Sequence, residues 1–158
     1  ETTEGWQLFN LQSNRIITPF YYEESTSDAN YIYLSKAHFK TPFDPQKEQI
    51  ILPWEYNTVY NIPGSHNFAV KKDGLFGVVN SENKVLVPFI YEDMISTNRP
   101  NMLVIAKNNQ YGIIDINNKL LYGMTDNRIE VHRDYFELKV PKTNKTIQKL
   151  DYNLKEIK

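Results

Sequence analysis

The stretch VKKDGLFGVVNSENKVLVPFIYED, residues 70–93, decides the fold. Around its start, residues 68–72 alternate apolar and polar side chains, the period-two pattern of a half-buried strand. Asp73-Gly74 follows, a dipeptide that tolerates the positive φ required at both central positions of a type I′ hairpin turn. Residues 75–80 read as a second, more apolar strand, Ser81-Glu82-Asn83 as a polar turn, and residues 84–87 as a third strand. Pro88 has no N–H to donate to a ladder, so the third strand is expected to end there. The segment is thus expected to form a three-stranded antiparallel meander.

The pattern repeats. IAKNNQYGIIDINNKLL, residues 105–121, overlays the first segment at an offset of 35, with Tyr111-Gly112 on Phe76-Gly77 and Lys119 on Lys84. Its turns fall at Asn108-Asn109 and Asn117-Asn118. In the other direction, residues 4–24 align at an offset of 69, which sets Pro19, Phe20, Tyr22 and Glu23 on Pro88, Phe89, Tyr91 and Glu92. Between them, Pro53, Trp54 and Tyr56 hold the same places, so the three prolines are 34 and 35 residues apart. A worn copy, KLDYNLKEI at 149–157, resembles residues 113–121. Five units result, at 1–30, 31–66, 67–101, 102–134 and a degenerate 135–158, within a single domain spanning 1–158.

A lone meander cannot bury its apolar face, so neighbouring units must pack on one another. The expected fold is all-β: about four to five tandem three-stranded meander repeats of ~35 residues in a curved array, open or closed like a propeller. Closure would have the C-terminal strand at 135–140 complete the first unit; the alternative is a segment cut from a longer array.

Composition supports a β protein. Eleven Tyr and eight Phe stand against Ala at only four positions, and aromatics favour strands where Ala favours helices. Eighteen basic and nineteen acidic residues give a net charge of −1, which argues against a nucleic-acid binder. The absence of cysteine excludes disulfides, thiolate metal sites and a cysteine nucleophile. No apolar stretch approaches the ~20 residues of a membrane-spanning helix. The chain begins at Glu1 rather than Met, as a processed export product or a trimmed chain would.

The third and fourth units resemble WG (KWG) repeats: a basic strand, a turn, an aromatic-Gly pair, a β-run, a polar turn, then Lys-apolar-apolar-Pro and an aromatic. The pattern stands as Lys72-Asp73-Gly74-Leu75-Phe76-Gly77 with Lys84-Val85-Leu86-Val87-Pro88-Phe89, and again as Lys107-Asn108-Asn109-Gln110-Tyr111-Gly112 with Lys119-Leu120-Leu121. Phe76 and Tyr111 replace the namesake Trp, and Gly123 stands in the proline place of the fourth unit. The first and second units depart further, with Gln7-Leu8 and Thr41-Pro42 where aromatic-Gly belongs. The resemblance implies a bacterial binding module rather than an enzyme, often exported or lipid-anchored, and in some relatives an immunity protein beside a secreted toxin.

No catalytic set is legible. His38, His66 and His132 are spread over separate units without a metal-ligand spacing, and no phosphate loop exists. Glu23-Glu24 and Glu92-Asp93 occupy equivalent places, and adjacent strand residues point to opposite faces, so repeated structure explains them better than acid–base chemistry. The reading therefore carries no catalytic residue, no metal and no cofactor. Most in-register aromatics belong to the core; aromatics outside the register, Tyr21, Tyr31, Tyr33, Tyr60 and Phe43, are the better binding candidates, with Trp54 partly exposed.

Binding is expected where the repeat is interrupted, because loops carry function on a rigid scaffold. The interruptions are residues 23–30, 41–49, 60–67 and 124–134, expected to line one edge together. The candidate partner-binding set is Tyr21, Tyr31, Phe43, Asp44, Trp54, Tyr60, His66, Arg128, Glu130 and His132. The expected function is a non-catalytic protein-interaction module in the bacterial periplasm or at the cell surface, most specifically an immunity protein that inhibits a cognate toxin. A glycan- or peptidoglycan-binding module and a structural segment of a larger protein are the alternatives.

Overall fold

The computed structural model describes residues 5–18 and 20–158; residues 1–4 and the first of the three aligned prolines, Pro19, lie outside the described residues. All regular structure among them is β, arranged as five small antiparallel sheets that follow one another along the chain. The first is a hairpin of β1 (Phe9–Asn10) and β2 (Arg15–Ile16). The second holds β3 (Glu24–Ser27), β4 (Ile32–Lys36), β5 (Phe39–Asp44) and β6 (Gln49–Ile50). The third holds β7 (Thr58–Asn61), β8 (Asn67–Lys72), β9 (Leu75–Asn80) and β10 (Val85–Tyr91). The fourth holds β11 (Asp93–Ser96), β12 (Met102–Lys107), β13 (Gln110–Asp115) and β14 (Leu120–Thr125). The fifth holds β15 (Arg128–Val131), β16 (Tyr135–Lys139) and β17 (Thr146–Asp151).

The expected three-stranded unit needs correction. The middle sheets have four strands in simple up-and-down order, and the extra strand is the first one. β3, β15 and the end of β7 run through residues expected to be loops, because each strand is only four residues long and β3 is polar and exposed throughout. The sequence units are also out of phase with the sheets, since each boundary falls at or near the turn between a sheet's first and second strands. Pro88 does not end its strand. β10 continues to Tyr91 through two register shifts, and Pro88 sits exposed on this edge strand, where a missing N–H costs no ladder bond.

Two turns recur with the period of the sequence. Ala37-His38, Asp73-Gly74 and Asn108-Asn109 all carry positive φ at both positions, as type I′ hairpins require. At the other end of the sheets, the side-chain Oδ1 of Asn10, Asp44, Asn80, Asp115 and Asp151 accepts the N–H of the residue two further on, at 2.8–3.0 Å. These five Asx turns stand 34, 36, 35 and 36 residues apart. Each is completed by a positive-φ residue, Asn14, Glu48, Asn83, Asn118 and Leu154 in turn. The Asn residues tolerate that conformation locally.

Gly77 of the aromatic-Gly pair is explained by close approach. A Cβ there would stand 2.7 Å from the Val87 carbonyl oxygen and 3.1 Å from the Phe89 ring. Only glycine lets the bulged β10 lie that close.

The cores lie between consecutive sheets. Tyr22, Leu34 and Phe43 pack with Leu8 and Ile17 between the first and second. Tyr31, Tyr33, Phe68, Val70 and Val79 fill the space between the second and third. Ala69, Val78, Leu103, Ile105 and Ile114 join the third to the fourth. Val104, Ile113, Ile129, Phe136 and Leu150 join the fourth to the fifth. Strand alternation makes this possible: Phe68 and Val70 face backwards along the chain while Ala69 faces forwards. The main contacts between strands of different sheets, such as β5 with β7 and β13 with β15, link neighbours in sequence. Among the described residues, no sheet is closed by joining distant strands. β16 pairs with β15 and β17, and Leu150 bridges Glu156, so the C-terminal strands complete their own sheet rather than the first one.

Candidate interaction surface

In an up-and-down sheet the first and third turns lie at the same end, and here that end is polar. Asp28 organises the β3–β4 turn by accepting the N–H groups of Asn30 and Tyr31 at 2.7 and 2.9 Å. Its other oxygen accepts the Tyr33 hydroxyl, which in turn accepts the Asn61 N–H of the next sheet at 2.9 Å. The β7–β8 turn is closed by Ser65, whose hydroxyl donates to the Ile62 carbonyl at 2.8 Å. Thr97 does the same for the β11–β12 turn through the Met102 carbonyl at 3.0 Å.

These turns meet in sequence order. The Tyr31 hydroxyl lies 3.4 Å from His66 Nδ1. Gly64 abuts Pro100 so closely that a Cβ would stand 2.8 Å from its Cγ, and its φ of +70° also demands glycine. Asn98 Nδ2 donates to the Arg133 carbonyl at 3.3 Å. A continuous row of turns from Asp28 to Asp134 results.

Two cavities open along this row. One, about 420 Å³, is lined by Ala29, Tyr31, Asp44, Lys47, Gly64 and His66 among others. Within it Asp44 pairs with Lys47 at 3.5 Å. Burial works against the Asp44 anion, but the Lys47 and Gln46 N–H groups outweigh it and hold the carboxyl below its usual range. Burial, then the Asp44 and Asp28 charges, push the Tyr31 phenol up, so Tyr31 remains a neutral hydrogen-bonding group. The other cavity, about 610 Å³, is lined by Asn98, Arg99, Pro100, Arg133, Asp134 and Tyr152.

The structure sorts the sequence candidates into groups. Tyr31, Asp44 and His66 come together in the first cavity. Arg128, Glu130 and His132 line a separate cavity of about 420 Å³ with Asp93 and Tyr111. Phe43 and Tyr33 are core residues instead, at 2% and 6% exposure, because both face a neighbouring sheet. Trp54 is half-buried, edge-on to Phe20 at 5.7 Å. The half-buried Tyr60 gives its hydroxyl to the Met94 carbonyl. Tyr21 is half-buried and lines none of these cavities. Of the expected loops, 23–30 and 60–67 do meet at one end, whereas 41–49 is mostly β5 and its Asx turn. Glu23 and Glu92 accept the Ala37 and Asn108 N–H groups, each at 3.1 Å, a repeated structural bond of the type I′ turns.

Arg99 and Asn98, which line the second cavity, are not among the sequence candidates. The signal was present: residues 97–101 follow 62–66 at the same offset of 35 that defines the repeat.

Glu130, His132 and Glu137 bring three possible metal-ligand atoms within 4.8 Å of one another. Lys139 Nζ already occupies the middle, 2.6 Å from Glu130 and 3.3 Å from Glu137. The ammonium supplies the positive charge that two facing carboxylates require, and a metal ion would have to displace it.

No family model matches the chain, and no curated protein does. Among solved structures, a protein of unknown function from Bacteroides caccae aligns with a TM-score of 0.39 at 13% identity, over 95% of this chain and 71% of its own. No helix among the described residues is long and apolar enough to cross a membrane.

Proposed function

We propose that this chain is a non-catalytic binding module whose partner is another protein. The observation that supports it is the row of contacting turns, which presents two polar cavities on a scaffold of packed sheets. Loops held in this way offer a preformed surface without the entropy cost of ordering them on binding.

The sharper form is a bacterial immunity protein, acting in the periplasm or at the cell surface, that covers and inhibits a cognate secreted toxin. The resemblance of residues 72–89 and 107–121 to WG repeats supports this form, as does the regular return of the Asx turn. The same proposal takes the sheets as four to five such repeats in an open curved array. The test is co-expression of the chain with the toxin encoded beside it. Growth rescue together with a one-to-one complex is expected; a chain that neither rescues nor binds its neighbour removes the immunity role.

One observation favours a second reading. The cavity beside Tyr31 and His66 carries the amides of Asn30 and Gln46, a donor and acceptor set suited to sugar hydroxyls. Flat titrations with an oligosaccharide panel would remove that alternative.

A further inference from the structure

We propose that the cavity between the β11–β12 and β15–β16 turns is a carboxylate-binding pocket that receives an acidic side chain of the protein partner. The inference rests on the binding-module reading and names the chemistry that the partner must present.

The chain has four arginines, and their partners divide them. Arg15 pairs with Glu48 and Arg128 with Glu130. The other two, Arg99 and Arg133, both line this cavity, both are exposed, and among the described residues neither has an ion-pair partner. Guanidinium groups present paired donors that match a carboxylate bidentately.

The pocket is also preorganised. The Arg99 guanidinium carbon lies 5.4 Å from the centre of the Tyr152 ring. That ring is only 7% exposed, packs edge-on to Phe136 at 4.7 Å, and is anchored by its hydroxyl to the His132 carbonyl at 2.7 Å. The cation–π contact with this fixed ring favours one placement of the guanidinium and so lowers the ordering cost on binding. The Asn98–Arg133 bond ties the two turns together.

The charge balance selects the ligand. Asp134 is the one carboxylate among the lining residues, so two guanidiniums leave one net positive charge for a monoanion. A phosphate dianion would meet Asp134 as an uncompensated repulsion. In the cavity beside Tyr31, by contrast, Lys47 is already matched by Asp44.

The test follows the arginine Nε–H signals of the isotopically labelled chain by NMR while adding capped tetraglutamate, with capped tetraglutamine and inorganic phosphate as separate arms. Saturable shifts at Arg99 and Arg133, absent at Arg15 and Arg128, are expected with tetraglutamate. The doubly substituted chain, Arg99→Gln with Arg133→Gln, should bind it about tenfold more weakly or worse, the scale of one lost charged hydrogen bond. Arg99→Lys should also weaken binding, because it keeps the charge and loses the planar fork. Both sites are exposed, and an unchanged backbone spectrum verifies the fold of each variant. Equal shifts with tetraglutamine, tighter binding of phosphate than of peptide, or undiminished binding by the double variant would overturn the pocket. A partner captured equally well by the double variant overturns the pocket and leaves the binding-module reading standing. If no partner is captured and the module reading fails, the peptide titration still decides for or against the pocket by itself.

Discussion

Phe9 of the first sheet and Glu137 of the fifth each stand where other sheets place a core residue. Phe9 precedes the Asx residue of its turn, as do Phe43, Val79, Ile114 and Leu150. Those four are at most 2% exposed and face the preceding sheet, whereas Phe9 is 49% exposed. Glu137 lies opposite the third residue of its sheet's first strand, as do Tyr33, Ala69 and Val104. Those three face the following sheet. The first sheet thus keeps interior chemistry on an outer face. The fifth replaces it with a network in which Thr146, His132 and Lys139 all contact Glu137. The repeat fixes where a residue sits, while side-chain chemistry distinguishes an apolar layer from the hydrogen-bonded polar network around the buried Glu137.

The harshest way to break the contrast is to move the outer chemistry inward. Val104→Glu sets a carboxylate among Ile113, Ile129 and Phe136 without a cation, and should cost about 5 kcal/mol, the sum of lost burial and an unpaired buried charge. Thermal unfolding should show the variant largely unfolded; a midpoint within a few degrees of the parent would refute the equivalence with Glu137. Next comes the pair Phe43→Ala and Phe9→Ala. The first should cost about 3–5 kcal/mol as a core truncation, and the second less than about 1 kcal/mol as a surface change, read from urea midpoints. Similar losses at both positions would mean that Phe9 is covered in solution.

The smallest effect is a pH dependence. The Thr146 hydroxyl, opposed by burial and helped by Lys139 and His132, holds the Glu137 carboxyl down at about 2. A lowered folded-state value means that this contribution is complete above the ordinary glutamate range and fades as pH falls through about 2. Glu137→Gln should flatten that part of the stability–pH curve, measured by denaturant midpoints at each pH. An unchanged acid slope would show that the network does not bind the anion selectively.

Much of this was legible from residue chemistry. Asp73-Gly74 and Asn108-Asn109 announce their turns, and the apolar run 75–80 coincides with β9 at both ends. Ala37-His38 makes the same turn without the Gly, Asn or Asp of a type I′ dipeptide, so the usual local signal is absent. The first strand of each sheet was hidden for a related reason: Glu24–Ser27 is wholly exposed and Arg128–Val131 is charged, and both are strands because β4 and β16 offer an edge to pair with. Tyr31, Asp44 and His66 stand among the sequence candidates and line one cavity, but their meeting depends on how one sheet packs on the next. Phe43 lies outside the sequence register of aromatics yet occupies a core position in the structural one, directly before the Asx residue.

The five Asx turns have a consequence for how such a chain changes over generations. Each hairpin is closed by its own side chain, and each apolar layer needs only the two walls beside it. Copying or deleting one whole unit of about 35 residues leaves every surviving layer with two walls, whereas a one-residue insertion inside a strand turns its apolar face away from the layer it fills. Length is therefore free to vary in steps, and the row of turns grows or shrinks by one position with each step.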